Sequence, residues 1–228
     1  CKVKKKNIMS HDNLKLKHYL CSMNSQADSN IRMSENIIIA DADYIDSVAF
    51  DLIVNFERML NRRIPAADFS QWVVNIALDG RLKPGNHETQ VVLLHDKKNP
   101  RLENFAPADY LKELNGQAFK DSQLGEFIIN AIATGDEVAK KDDVLLDLLK
   151  TILNHEEVKR IMVVSNAEDS QLMSTLRSTL RDVDDELKHI TLFAMQPLEG
   201  GNFKQQILGY SLLNAMGISA SEIESKIK

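Results

Sequence analysis

Three aspartates follow the first apolar run of the chain within six residues. The stretch NIIIADADYIDSVAF, residues 36 to 50, carries Asp41, Asp43 and Asp46 after a run of isoleucines. Carboxylate oxygens are preferred ligands of Mg²⁺ and Mn²⁺, and such an ion can activate water and stabilise charge on a phosphodiester. The alternative is structural, because an Asp before a helix commonly caps it, and Asp43 precedes a helix that we predict from residue 44. Both interpretations stay open.

A second acidic segment follows a later apolar run. In IMVVSNAEDSQL, residues 161 to 172, the run ends at Ser165 and the chain reaches Asp169 as a helix begins. Acidic oxygens at neighbouring strand ends can converge on one divalent cation. The structural alternative makes Asn166 the N-cap of this helix, with Asp169 in its first turn, where the helix dipole favours a carboxylate.

A third acidic segment opens a helix. KKDDVLLDLLKTI, residues 140 to 152, places Asp143 and Asp147 one helical turn apart on the same face. These two carboxylates could complete a metal site. A solvated acidic face at a helix N-terminus is the alternative, and for this segment alone it is the better explanation.

Strands and helices alternate along the chain, which predicts the scaffold for these residues. Apolar runs predict strands at 36–40, 90–95, 160–165 and 189–195, with a weaker candidate at 127–133. Amphipathic stretches predict helices at 44–62, 68–79, 108–116, 142–154, 169–182, 203–216 and 219–227, and we interpret 103–110 as a long surface loop. This alternation predicts an α/β fold, a three-layer sandwich with a mostly parallel central sheet, which binds ligands at the carboxyl ends of its strands.

Charge and composition divide the chain into a tail and one α/β domain. Residues 1–32 carry seven Lys or Arg against two Asp, and we predict a flexible basic tail, with the domain at 33–228. The domain carries 21 bases and 31 acids, which argues against broad binding of a polyanion. Cys1 could bear a lipid, or the natural start could be Met33. No apolar run reaches the roughly 18 residues that a membrane span needs, so we expect a cytoplasmic protein.

The order of the three acidic segments resembles the PIN-like and NYN nuclease domains. In those families a strand ends in Asp, a Lys-and-Asp segment opens a helix with a second Asp further in, and a strand runs into a Ser-Gly-Asp-Ser-Asp turn. The corresponding stretches are IIIADAD, KKDDVLLDLL and MVVSNAEDSQL, and the resemblance spans about residues 36 to 195. It implies a PIN/NYN-like fold, in an uncharacterised bacterial family, and a metal-dependent ribonuclease that acts on single-stranded RNA.

The resemblance also implies which residues act. The implied metal ligands, for Mg²⁺ or Mn²⁺, are Asp41, Asp143, Asp147 and Asp169. The implied catalytic residues are Asp41, Asp43, Asp147 and Asp169. Ala167 stands where the first Asp of the late turn belongs, and it cannot bind a metal. The alternative is therefore a non-catalytic protein on the same fold, which binds nucleic acid, a protein partner or a second copy of itself.

A second resemblance is to haloacid-dehalogenase-type phosphotransferases. An apolar strand followed by Asp-x-Asp opens those enzymes, which would make Asp41 the nucleophile, Asp43 the general acid and Ser165 a phosphate contact. Two features disagree with the pattern. Bulky residues follow Asp43, where a small one is usual, and the last predicted strand, HITLFAMQP, ends without an acidic pair.

Overall fold

A computed structural model describes residues 33–135, 140–183 and 186–227 of the chain. The basic tail predicted for residues 1–32 lies outside the described residues. The strands are β1 (Asn36–Asp41), β2 (Ala67–Asp68), β3 (His87–Asp96), β4 (Phe105–Ala106), β5 (Ala118–Asp121), β6 (Gly125–Thr134), β7 (Arg160–Val164), β8 (His189–Ala194) and β9 (Lys204–Ile207). The helices are α1 (Ala42–Leu60), α2 (Phe69–Asp79), α3 (Lys141–Leu153), α4 (Ser170–Leu180), α5 (Leu208–Ala215) and α6 (Ala220–Ile227), with a π-helical turn at Tyr110–Leu114.

Seven strands form one sheet in the order β5-β6-β3-β1-β7-β8-β9, and β2 pairs separately with β4. Every neighbouring pair in the large sheet is parallel except β5 with β6. Its central strands are buried on both sides, which explains their continuous apolar sequences. The predicted α/β fold with a mostly parallel sheet is thus confirmed.

Side chains that alternate along the strands build two cores, one on each face of the sheet. In β1, Ile38 and Ala40 pack into one core with α1, α2 and α5, whereas Ile37 and Ile39 pack into the other with α3 and α4. The sheet is therefore covered by helices on both faces, in three layers.

The strand order places a ligand crevice at one point of the sheet. From β1 the chain runs through α1 and α2 to β3 on one side, whereas β7, on the other side of β1, leads through α4 to β8. The connections leave these two adjacent strands in opposite directions and on opposite faces, and in doubly wound sheets this arrangement places the ligand crevice at their carboxyl ends. Asp41 closes β1 at this crevice, and Ser165 follows β7.

Three of the sequence predictions were wrong in part. The helix predicted at 203–216 begins only at Leu208, because residues Lys204–Ile207 form edge strand β9 beside β8. The surface loop predicted at 103–110 contains β4, and its Phe105 and Tyr110 are buried. The helix predicted at 108–116 is only the short π-helical turn.

Aromatic packing anchors this 103–110 segment to α2. The ring of Phe105 lies 5.8 Å from that of Trp72 and 6.4 Å from that of Phe69, in edge-to-face arrangements that aromatic rings prefer. Trp72 is fully buried and packs in the core. In the part of the chain that is described, no helix is both long and apolar enough to cross a membrane.

Candidate functional site

Asp41 ends the first strand and also starts the first helix. Its backbone is extended, with φ −71° and ψ 104°, and its Oδ1 accepts a hydrogen bond of 3.0 Å from the backbone N–H of Tyr44. The strand therefore passes into α1 without a loop, and the side chain is held at the sheet's edge with only 4% exposure. The prediction that Asp43 caps this helix was wrong, because Asp41 does so.

Lys141 joins the first two aspartates. Its Nζ lies 2.6 Å from Asp41 Oδ1 and 2.7 Å from Asp43 Oδ2. Asp43 also accepts from the backbone N–H of Asp96 at 2.8 Å and from Asn99 Nδ2 at 2.7 Å. These contacts hold the end of β1, the end of β3 and the start of α3 together, although the residues are up to 100 positions apart.

The ion pairs act against the effect of burial on each group's pKa. Burial raises the pKa of Asp41, and the attraction of Lys141 offsets only part of this. Burial also acts to raise the pKa of Asp43, but hydrogen bonds from Lys141, Asn99 and Asp96 outweigh it, so this pKa is lowered. Burial acts to lower the pKa of Lys141, yet its two carboxylates raise it. Lys141 therefore stays charged as a partly buried cation between two acids.

The pKa of Asp142, the next residue, is affected by the acidic segment at residues 161 to 172. Its pKa is raised, first by burial and then by the negative charges of Asp169 and Asp143, against the opposing effect of Lys141. A like charge disfavours ionisation only when it is close, so Asp142 and Asp169 share one electrostatic environment. The start of α3, held by Lys141 to the end of β1, and the start of α4, which follows β7, thus lie at the same edge of the sheet.

Asp169 is the N-cap of α4. Its Oδ1 accepts from the backbone N–H groups of Gln171 at 2.8 Å and Leu172 at 2.9 Å, so the prediction that Asn166 caps this helix was wrong. Its Oδ2 takes no part in these two bonds and can face another group. The third aspartate of the opening stretch, Asp46, accepts from the backbone N–H of Asn104 at 2.8 Å and so fixes the 103–110 segment.

The structure separates the residues predicted from the sequence. Asp41 and Asp43 share Lys141. Asp143, Asp147 and Asp169 are all exposed, and of these three Asp169 opens the helix that follows β7. Asp147 pairs only weakly along its own helix, 3.3 Å from Lys150 Nζ. Among the described residues, no three or more His, Cys, Asp or Glu side chains are grouped so that they could hold a metal ion.

Sequence reasoning missed Lys141 and Asp142. One signal could have identified Asp142, since it precedes Leu145 by three residues and Leu149 by seven, and both leucines are buried. Residues at these spacings lie on one side of a helix, so Asp142 belongs to the side that packs on the sheet. The pair Asp143 and Asp147 lies on the opposite, solvated side.

The first turn of α1 also carries a tyrosine with a buried hydroxyl, Tyr44. The hydroxyl of Tyr44 has no hydrogen-bond partner among the described residues, although the atom itself is buried. Burial, together with the nearby charges of Glu168 and Asp41, raises the pKa of Tyr44 to about 12. A free O–H donor thus lies beside the carboxylates.

We expect the Tyr44→Phe variant to lack one ionisation near pH 12, as followed by phenolate absorbance against the wild type. A phenol with a folded pKa above its unfolded value contributes stability that is lost as the pH rises between the two. The wild type should therefore lose more unfolding free energy than the variant from about pH 10 to about pH 12. If the absorbance difference between the two proteins titrated with a midpoint near pH 10, the buried position of the hydroxyl would be contradicted.

The strand order and the charged crevice define the class of protein: an α/β protein with a doubly wound sheet, whose candidate site lies where the strand order reverses. The chain belongs to a family of unknown function, DUF6621, whose model matches residues 30–223. No curated protein and no solved structure matches the chain.

Proposed function

We propose that this protein is a divalent-metal-dependent hydrolase of phosphodiesters, related to the PIN/NYN nucleases, and that single-stranded RNA is its substrate. One observation carries the proposal. Lys141 binds both Asp41 and Asp43, and so brings the start of α3, with Asp142, to the crevice where Asp169 opens α4. Asp41, Asp142 and Asp169 thus come from three distant segments that end or begin at the edge where doubly wound sheets bind their ligands.

The residues present fit Mg²⁺ or Mn²⁺ with a small protein ligand set. Mg²⁺ commonly takes one or two carboxylates and completes its shell with water and substrate phosphate oxygens. Asp142 and Asp169 would supply those carboxylates, since the charge of Asp169 disfavours ionisation of Asp142 and a bound cation would relieve that repulsion. A metal held there would supply a Lewis acid and an activated water. Ala167 stands where the PIN/NYN pattern has a further Asp, so this set lacks a third carboxylate.

The chain's own groups then have separate roles. Asp41 accepts two hydrogen bonds on Oδ1, from the backbone N–H of Tyr44 and from Lys141 Nζ, and neither of them uses its second oxygen. Lys141 places a fixed positive charge next to it, where it can stabilise negative charge on a phosphate. Asp43 has both oxygens occupied by Lys141, Asp96 and Asn99. It is therefore a positioning residue for Lys141.

A phosphatase of the haloacid-dehalogenase type would need Asp43 as a general acid. Its hydrogen bonds lower the pKa of Asp43, so this carboxyl is ionised at neutral pH and has no proton to donate. This argues for the hydrolase with a metal-activated water over the phosphatase.

The test is cleavage of a fluorescently labelled single-stranded RNA by the full chain in Mg²⁺ or Mn²⁺, compared with excess chelator. We expect fragments only with metal, and none from the Asp41→Asn variant, which serves as the inactive control. Absence of cleavage with both metals would reject the hydrolase. The non-catalytic alternative would then stand, and it expects Asp41→Asn to leave binding of a partner unchanged.

A further inference from the structure

A groove of about 560 Å³ lies at the amino-end side of the sheet, opposite the crevice. Its walls come from the last turns of α3 and α4 and from the turn before β8. Leu187 is 69% exposed, and Leu153 and Val183 line the groove with it, so it belongs to an apolar surface and is not a single exposed side chain. The other lining residues are Lys150, Asn154, Thr179, Asp182 and Lys188.

The charges of this groove favour a basic occupant. Lys150 pairs with a carboxylate of its own helix at 3.3 Å, and Lys188 Nζ donates to two main-chain carbonyls at 2.6 and 2.7 Å. Asp182 is exposed and pairs with no described residue. Burial lowers the pKa of Lys188, and the negative charges of Glu157 and Glu156 oppose this effect, so two more acids lie near the groove.

The chain enters the domain beside this groove. Met33 is buried, and its backbone N–H donates to Glu157 Oε1 at 3.3 Å. Glu157 lies in the turn between α3 and β7, which also supplies Asn154 to the groove. Met33 packs in the same core as Leu153 and Val183. The sequence before Met33 is therefore attached next to the groove.

One segment of residues 1–32 matches the groove in chemistry. Residues 14–23, LKLKHYLCSM, hold six apolar residues, two lysines and no acid, whereas residues 24–32, NSQADSNIR, are mostly polar. These nine intervening residues can span about 30 Å, since an extended chain covers about 3.3 to 3.6 Å per residue. This length is enough to return the segment to a groove that lies next to Met33.

We propose that residues 14–23, a segment outside the described residues, dock in this groove of their own chain. The leucines and Tyr19 contact the apolar wall, and Lys15 and Lys17 face the acidic rim. A short linker holds such a segment at an effective concentration of about millimolar, so a modest affinity is sufficient. The inference goes beyond the proposed function, because the groove and the crevice lie at opposite ends of the strands.

The experiment uses the two cysteines of the full chain, because Cys21 lies in the segment and Cys1 lies outside it. Alkylation by iodoacetamide is followed for each thiol by peptide mass spectrometry, and each cysteine is compared with itself across variants. We expect Leu187→Ser to accelerate alkylation of Cys21 about tenfold, because loss of a buried leucine contact shifts the segment to its undocked state. The rate at Cys1 should not change.

The matched control is Leu78→Ser, since Leu78 is 47% exposed on α2, which packs in the other core. It should leave the rates at both cysteines as in the wild type. Equal rates at Cys21 in the wild type and Leu187→Ser, or equal acceleration by Leu78→Ser, would overturn the inference. Protection of Cys21 that appears only as the protein concentration rises would assign the groove to a second copy's segment and overturn docking within one chain.

Discussion

Replacing Lys141 with methionine is expected to lower the free energy of unfolding by about 3 kcal/mol at pH 7. Asp41 is almost fully buried, and Lys141 is the cation that compensates both it and Asp43. Removing one partner of a buried ion pair leaves an uncompensated charge, which typically destabilises by about 3 to 5 kcal/mol. Urea unfolding of both proteins measures the difference.

The control for this variant is Lys150→Met on the same helix. Lys150 and its partner Asp147 are both about half exposed, so this change should alter stability by less than about 0.5 kcal/mol. Acidification should also reduce the difference in unfolding free energy between Lys141→Met and the wild type, because a protonated Asp41 no longer needs a counter-charge. Equal losses of unfolding free energy in Lys141→Met and Lys150→Met would contradict the role given to Lys141. A difference between Lys141→Met and the wild type that does not change with pH would also contradict it.

Replacing Asp142 with asparagine is expected to reduce metal-dependent RNA cleavage by at least about 100-fold. Changes in groups that only support a metal ligand commonly reduce affinity or activity by about 10- to 100-fold, and Asp142 is proposed as a ligand itself. The free energy of unfolding of Asp142→Asn at pH 7 should equal or exceed that of the wild type. The raised pKa of Asp142 means that its ionised form opposes folding, and asparagine removes that charge.

Asp147→Asn provides the comparison within the same helix. Asp147 is exposed and points away from the crevice side of α3, so cleavage should stay within about twofold of the wild type. Cleavage rates and chemical unfolding, measured on both variants, separate a functional effect from a structural one. If Asp147→Asn were the inactive variant, the crevice would have been assigned to the wrong face of α3.

The central strands could be predicted because their sequences record burial directly. The runs in β1, β3, β7 and β8 are apolar on both faces, as strands between two helical layers must be. Strand β9, with sequence KQQI, could not be found in this way. It lies at the sheet edge, where polar side chains are tolerated, and its residues precede a real helix without a break.

The candidate site was predictable at Asp41 and Asp169, which follow apolar strands, but not at the start of α3. Asp41 follows from its place after a buried strand, but Lys141 lies in a run of four charged residues, and sequence cannot show which of them turns inward. That choice depends on a contact with a residue 100 positions away. The helix starts were also misplaced by a few residues, because Asp41 and Asp169 cap their helices through backbone geometry that neighbouring polar residues could equally adopt.

The two outer strands of the sheet limit how copies of this protein can associate. β5 and β9 each have only four residues, and each presents an exposed lysine, Lys120 or Lys204. Short charged borders offer few main-chain bonds to an incoming strand and disfavour fibril-like stacking. Association of copies must therefore use helical surfaces. The carboxyl-end crevice would remain open in such an assembly only when those surfaces lie away from α1, α3 and α4.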